Sequence, residues 1–386
     1  MQALQIKLEV VTPLFLSGAE PQGEPELRPA SFRGALRFWW RAVVGGLIGD
    51  DPKRLQENES SIFGSPEKGS SVVVRVRELQ SAKSVKQFYR QGKGTQSISS
   101  GHDYLLWSMK GFRGESDRRG FYPGPSARFE LVLQARPGAT NSERAWQEVC
   151  AALWLFTQLG SLGSRARRAA GSLGVIAPAP QVSDLPTFQV PRSAKELRNH
   201  LQTGIKQVRE LLGQRYPDIA NFVHPPGFDV LHPQACRIWV LADESPWITW
   251  VEAVEGLGAK MRDFRNRTAP DHDGVLDWLT KNRAPDKVER AVFGLPLPFR
   301  YTHPRVQGVV EGTNHDRRAS PLWLRVAKLD SKSYVGIATL FKSEFLPDGE
   351  RLQVKGKHGQ VPAPSDCTLL EDFISTQFPR SWEVQL

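Results

Sequence analysis

The chain has 386 residues, 40% of them apolar and 24% charged, which is an ordinary globular composition and length enough for two domains. No apolar run approaches the roughly 18 to 20 residues of a membrane span, and the start, "MQALQIKLEV", has charge and alternation where a secretory signal would be apolar. A net charge of +10 favours polyanionic partners, and three cysteines too far apart in sequence to form a ligand set or framework point to a reducing cytoplasm.

"LQIKLEVV" (4–11) alternates apolar Leu4, Ile6, Leu8 and Val10 with polar residues, the pattern of a half-buried strand. In "SFRGALRFWWRAVVG", Phe32, Leu36, Trp39 and Val43 form one helical face, with Ser31 as the expected N-cap and Gly45-Gly46 as the expected stop. Strands are expected over 71–79 and 127–135. Between them lies a Gly-, Ser- and Arg-rich insertion at about 80–126, with one internal strand at "YLLWSM". A helix over 142–158, a Gly/Arg loop and a short strand at "LGVI" complete this half. Without the insertion the order is strand, helix, strand, strand, helix, strand. That is the split βαβ, ferredoxin-like arrangement, whose helices share one sheet face and leave the other free for a ligand or partner.

An amphipathic helix over 193–213, flanked by prolines, follows as a bridge. The element order then recurs. A strand at "RIWVLA" (237–242) precedes a helix that opens at Ser245 and Pro246, and two short helices follow at about 274–281 and 285–293. Strands at 322–329 and 334–341, a helix over 365–378 and a strand at "WEVQL" close the chain. The expected fold is α+β: two ferredoxin-like βαββαβ domains with antiparallel sheets plus a helical bridge. The domain bounds are 1–180, 181–235 and 236–386.

The loop "LGSLGSRARRAAGSLG" (159–174) holds GSLG twice, with Ser164, Arg165, Arg167 and Arg168 between the copies and no acid. Glycines let backbone N–H groups approach a phosphate, and arginines fork onto its oxygens. The bland alternative is a helix stop with solvated arginines, but one glycine suffices for that. A Walker loop is excluded because GK[ST] is missing, and a KH loop would lie between two helices. In the first helix Arg33, Arg37 and Arg41 form a stripe with no acid between Arg28 and Gly49. Lys260, Arg262 and Arg265 cluster against Asp263 alone. The tryptophans, Trp39, Trp40, Trp154, Trp250 and Trp323 among them, read chiefly as core.

Chemistry has little support. The eight histidines show no HxxxH or HxH spacing and no cysteine partner, so no metal and no cofactor are expected. "DHDG" (271–274) reads as a turn before a helix starting near Val275. "GHDY" (101–104) offers His102 as the one candidate base outside that turn.

The segments "ELRPASFRGALRFWWRA", "TPLFLSGAE", "IFGS" and the Gly/Arg loop resemble the RAMP superfamily of CRISPR-associated RNA-binding proteins. With "RRASPLWLRV" and "FLP" they are most similar to its family of first subunits in type III-B Cmr effectors. The resemblance spans 4–176 and 236–346. It implies two RRM-like domains and a non-catalytic, architectural place in a ribonucleoprotein near the 3′ part of the guide RNA. Implied partners are guide RNA, target RNA in the assembled complex and other RAMP subunits. Target cutting falls to the repeated backbone subunit. The implied basic positions are Arg33, Arg37, Arg165, Arg167, Arg168, Arg317 and Arg318. The sequence departs at Ala169-Ala170, where the family is richer in glycine, and it lacks the RNP1 aromatic pattern. Two other classes stay open: a RAMP endoribonuclease that processes guide precursors, using His102, and a scaffold whose arginines meet acidic subunit surfaces.

Overall fold

In the computed structural model the alternation of β1 (Ala3–Val10) becomes burial: Leu4, Ile6 and Leu8 point into the core while Gln5 and Lys7 face outward. Residues 2–20, 23–80, 84–85, 101–111, 117–118, 120–121, 127–139, 142–217, 219–242, 245–267 and 271–386 are described. After β1 come α1 (Pro29–Ile48), α2 (Pro52–Phe63), β2 (Val72–Gln80), the short β3 (Ser84–Val85), α3 (Gly101–Leu106), the short β4 (Gly120–Phe121), β5 (Arg128–Ala135), α4 (Ser142–Leu159) and β6 (Leu173–Val175). The main sheet has the order β2-β5-β1-β6, antiparallel throughout, with Leu8 opposite Phe129 and Val175. This is the ferredoxin-like order, with α1 and α4 as its two helices.

The chain continues through α5 (Ala194–Gly213), β7 (Cys236–Leu241), α6 (Trp250–Arg267), α7 (Asp271–Lys281), β8 (Leu297–Tyr301), β9 (Val306–Gly312), β10 (Leu322–Lys328) and β11 (Tyr334–Phe341). β12 (Arg351–Val354), β13 (Val361–Pro362), α8 (Thr368–Gln377) and β14 (Trp382–Val384) complete it. β7, α6, β10, β11, α8 and β14 repeat the first topology, with sheet order β10-β11-β7-β14. A third sheet, β13-β12-β9-β8, packs on α7 through Val275, Trp278, Phe299, Val310 and Leu352. Sequence reading expected two sheets. β8 escaped it because Pro298 interrupts the strand pattern, and Pro298 is tolerated because β8 is an edge strand.

Several local expectations need correction. "YLLWSM" is not a strand; it forms the end of α3 and a 3-10 turn over Trp107–Met109, because Leu105, Leu106 and Met109 all bury toward α6. Most of the rest of the insertion lies outside the described residues. α1 begins at Pro29, with Arg28 as N-cap, and runs through Gly45-Gly46 to Gly49. The glycine pair serves close approach instead: a Cβ on Gly46 would fall 2.3 Å from the Leu231 carbonyl oxygen. α6 starts four residues later than expected, since Trp247 exchanges backbone hydrogen bonds with Tyr334 at 3.0 and 2.7 Å. Thr249 accepts the Glu252 N–H there at 3.1 Å.

The free sheet face is also corrected for the second unit. Ile238, Val240, Ile337 and Phe341 turn away from α6 and α8 and join the core of α1, α4 and α5. α5, capped by Ser193 through the Glu196 N–H at 3.2 Å, lies between the units, with Gly204 admitting the Trp154 ring.

On the same side of β10 is Arg325, 5% exposed. It donates to Phe156 O (3.3 Å) and Gly160 O (2.7 Å) at the end of α4, and to Leu173 O of β6 at 2.5 Å. Burial pushes this guanidinium down to about 9, still charged at neutral pH. Val326 N–H to Ser172 Oγ (3.1 Å) and Lys328 to Glu9 (2.5 Å) extend the seam. Arg325→Ala leaves these buried carbonyls without a donor and lowers stability by about 3 kcal/mol, read as a shift of the urea unfolding midpoint; Arg325→Lys recovers only part, since one ammonium cannot span all three.

Candidate nucleic-acid interface

α4 ends where Gly160 donates to Phe156 O at 2.9 Å, with the indole of Trp39 so near that a Cβ on Gly160 would stand 2.4 Å from its Nε1. The following loop closes on itself through Leu162 N–H to Gly171 O (2.9 Å). It is tied to the segment after β1 through Ser164 N–H to Phe15 O and Gly171 N–H to Pro13 O, both 2.9 Å. Its path needs positive φ at Gly163 (82°), Arg165 (62°), Ala169 (63°) and Gly171 (66°). Ala169 and Ala170 are fully buried in the core of the second unit. Ala169 N–H bonds Leu324 O at 2.9 Å, and Leu324 N–H returns to Arg167 O at 3.2 Å. The Gly/Arg loop is thus a joint between the units.

The loop arginines serve that joint. Arg165 donates Nε and Nη2 to Leu105 O at 2.8 and 2.5 Å. Arg167 reaches Ser320 O (2.6 Å) and Asp229 (3.3 Å), and stacks 4.5 Å over Trp323. Burial lowers its pKa and Asp229 works against that shift. Arg168 donates to Phe293 O at 2.6 Å and Met261 Sδ at 3.0 Å. Part of Arg168 still meets solvent, yet burial, with Arg165 and Arg265 nearby, pushes it down to about 9. Ser164 Oγ accepts from Arg118 at 3.4 Å.

These residues wall a cleft of about 870 Å³ between the units. Arg165, Arg167, Arg168, Arg262, Arg265, Arg290, Arg300 and Arg318 line it, with no Asp or Glu among the described residues of the lining. Such a concave surface of one sign concentrates anions. The eight divide by occupation. Arg318 binds Phe345 O (2.7 Å), Ser343 Oγ (2.9 Å) and Glu344 O (3.1 Å), so with the three loop arginines it braces the walls. Arg262 pairs with Asp263 at 2.8 Å, Arg265 packs over the rings of Tyr104 and Phe293, and Arg300 is exposed at the rim on β8.

The other expected residues fall elsewhere. Arg37 and Arg41 both meet the buried carboxylate of Glu59 on α2, the latter at 3.6 Å, so the stripe has an acidic partner 22 residues from Arg37. Arg33 is half-buried, with its Nε enclosed and making no hydrogen bond. Arg37, Arg41, Arg317 and Arg318 line a second groove of about 710 Å³, so Arg318 stands between the two clefts. Lys260 points to the far end of α8, where it donates to Gln377 O at 3.0 Å.

Arg290 and Arg300 escaped sequence reading because they form no local cluster. The "DHDG" segment, expected before the helix, is its first turn. Asp271, fully buried, accepts from the N–H groups of Glu289 (2.9 Å) and Arg290 (2.6 Å), which sets Arg290 in the cleft wall. His102 does not line the cleft. Its N–H and that of Gly101 donate to Glu255 (2.9 and 2.7 Å), and burial lowers the pKa of its imidazole. No group of three or more His, Cys, Asp or Glu suited to a metal occurs among the described residues, and none of their helices is long and apolar enough to cross a membrane.

The sequence profile of the RAMP superfamily matches residues 7–173. The CRISPR system Cmr subunit Cmr1-2 of Pyrococcus furiosus is 35% identical over 180 residues, 92% of that protein and 44% of this chain. The chain belongs to the Cmr1 family of the RAMP superfamily. Cmr subunit Cmr1-1 of the same organism is 28% identical over 359 residues, covering 92% of this chain and 90% of that one. The fold is that of apo Cmr1 from Pyrococcus furiosus, with a TM-score of 0.64 at 24% identity over 100% of this chain and 99% of that one. A chain of the type III-B Cmr-beta complex bound to cognate target RNA matches with a TM-score of 0.54 at 13% identity, over 97% and 98%.

For this Cmr1-family chain the loop geometry gives a paired test. Gly171→Ala, whose methyl would lie 1.8 Å from the Leu162 carbonyl oxygen at φ 66°, costs more than about 2 kcal/mol in chemical unfolding. Gly34→Ala, in an exposed part of α1 with no atom within 4 Å, adds about 0.5 to 1 kcal/mol.

Proposed function

We propose that the chain is a non-catalytic, RNA-contacting architectural subunit of a type III-B Cmr ribonucleoprotein. It holds guide RNA or guide–target duplex near the 3′ end of the guide and docks neighbouring RAMP subunits. The observation that carries this reading is the inter-unit cleft, whose described lining sets eight arginines against no acid. The Cmr names of its relatives, and a fold neighbour bound to target RNA, agree with it. Binding is directed to the phosphate backbone, so it is insensitive to sequence and sensitive to salt, and base pairing supplies the specificity.

The cleft arginines share this work unequally. Arg167, Arg168 and Arg318 spend their donors on protein carbonyls and set the cleft's shape, while Arg262, Arg265 and Arg300 supply the charge that RNA meets. The second groove, with Arg37, Arg41 and Arg317 beside Phe228 and Phe345, is the docking surface in this proposal. The non-catalytic part is supported by His102, whose helix N-terminus is capped by Glu255 outside the cleft. A division at 1–180, 181–235 and 236–386, in a cytoplasmic protein, belongs to the same reading; α5, packed against elements of both units, supports the bridge.

The test is fluorescence anisotropy of labelled single-stranded RNA against salt, for wild type and Arg262/Arg265/Arg300→Ala. Each lost phosphate contact lowers the log–log slope by about 0.7, so the triple variant loses about 2 if all three meet phosphate. An unchanged slope and affinity, with tight binding to a partner subunit, would favour the pure scaffold instead.

A further inference from the structure

Of eleven tryptophans, Trp107 and Trp382 are the two that are more than a third exposed, and Trp107 stands in the wall of the arginine cleft with 38% of its surface in solvent. The part of the indole left in water forgoes the stabilisation that burial would give it. Its mount is firm nonetheless. Lys110 N–H closes the turn on Trp107 O at 3.0 Å, and Leu105, Leu106 and Met109 around it are buried. α3 lies so close to α6 that a Cβ on Gly101 would fall 2.0 Å from the Glu255 carbonyl oxygen. Arg165, bonded to Leu105 O, ties the same short helix to the Gly/Arg loop. Beside it, Arg265 lies 5.7 Å from the Tyr104 ring and 5.1 Å from the Phe293 ring. The cleft therefore combines cationic planes with one partly exposed aromatic side chain on a firmly held turn. Those are the two chemistries that a single-stranded nucleic acid offers to be met, phosphate and unstacked base.

We propose that Trp107 is the stacking platform for one unpaired base of the RNA whose phosphates the cleft arginines hold, so that the cleft takes single-stranded RNA. The inference rests on the RNA-binding reading above and narrows its ligand. A duplex keeps its base faces inside the stack and cannot use such a platform.

The experiment compares the full chain with Trp107→Ala, Trp107→Phe and Arg262/Arg265/Arg300→Ala, on a single-stranded RNA and on a duplex of the same length. Salt is titrated in each case. Trp107→Ala is expected to weaken single-strand binding about tenfold, with an unchanged salt slope and unchanged duplex affinity. Trp107→Phe restores most of the loss. A 2-aminopurine in the strand is quenched on binding to wild type and not to Trp107→Ala. Single-strand binding by Trp107→Ala equal to wild type, or an equal loss on duplex, overturns the platform; a lowered slope in the arginine variant then leaves the RNA reading standing. If the arginine variant is also unchanged, both readings fall.

Discussion

One buried guanidinium fixes how the two halves of the molecule meet. Arg325 has no carboxylate partner among the described residues; its acceptors are carbonyl oxygens at the end of α4 and on β6. The end of a helix presents unpaired carbonyls and the negative end of its dipole, so a cation there is stabilised without an acid. Because Arg325 sits on β10 and its acceptors on the first unit, the relative position of the two ferredoxin-like units is set by hydrogen bonds of fixed direction. The cleft exists between walls whose separation those bonds determine, and the Gly/Arg loop runs from the same helix end into the opposite wall.

This arrangement gives arginine two jobs in one cleft. A guanidinium directed at backbone carbonyls shapes the surface and has few donors left for a ligand, whereas one packed over an aromatic ring keeps its edge available. Arg167 and Arg168 are of the first kind, and Arg265 is of the second. Asp271 belongs to the same scheme from outside the cleft, since its carboxylate fixes the backbone from which Arg290 projects. Counting basic residues would treat all of these alike.

Much of the architecture was legible because its signals are local. The alternation in β1, the Ser193–Glu196 cap of α5 and the repeated strand–helix order each sit within a few residues, and both ferredoxin-like units follow from them. The third sheet was not legible, because Pro298 breaks the period of β8. Partnership was illegible for a different reason. Glu59 answers Arg37 across 22 residues, and Asp229 answers Arg167 across 62, so the segments looked free of acid although the folded surfaces are not. The candidate site was visible as a set of basic clusters. That Arg262 and Arg265 would join the loop arginines while Lys260, on the same helix, would turn away depends on packing that spacing alone does not reveal.

The joint between the units also bears on how the chain can meet its neighbours. β10 is the outer strand of the second sheet, and the outward N–H and C=O of Leu324 at its middle are taken by Arg167 and Ala169 of the loop. At the opposite border, Arg198 of α5 donates to the Glu383 carbonyl of β14 at 3.0 Å. Both rims of that sheet are thereby engaged from within, and a second protein adding a strand there would have to displace these bonds. Association at these two rims has to proceed by side chains fitted to side chains, which selects partners by shape and charge instead of by backbone pairing that any extended peptide could supply.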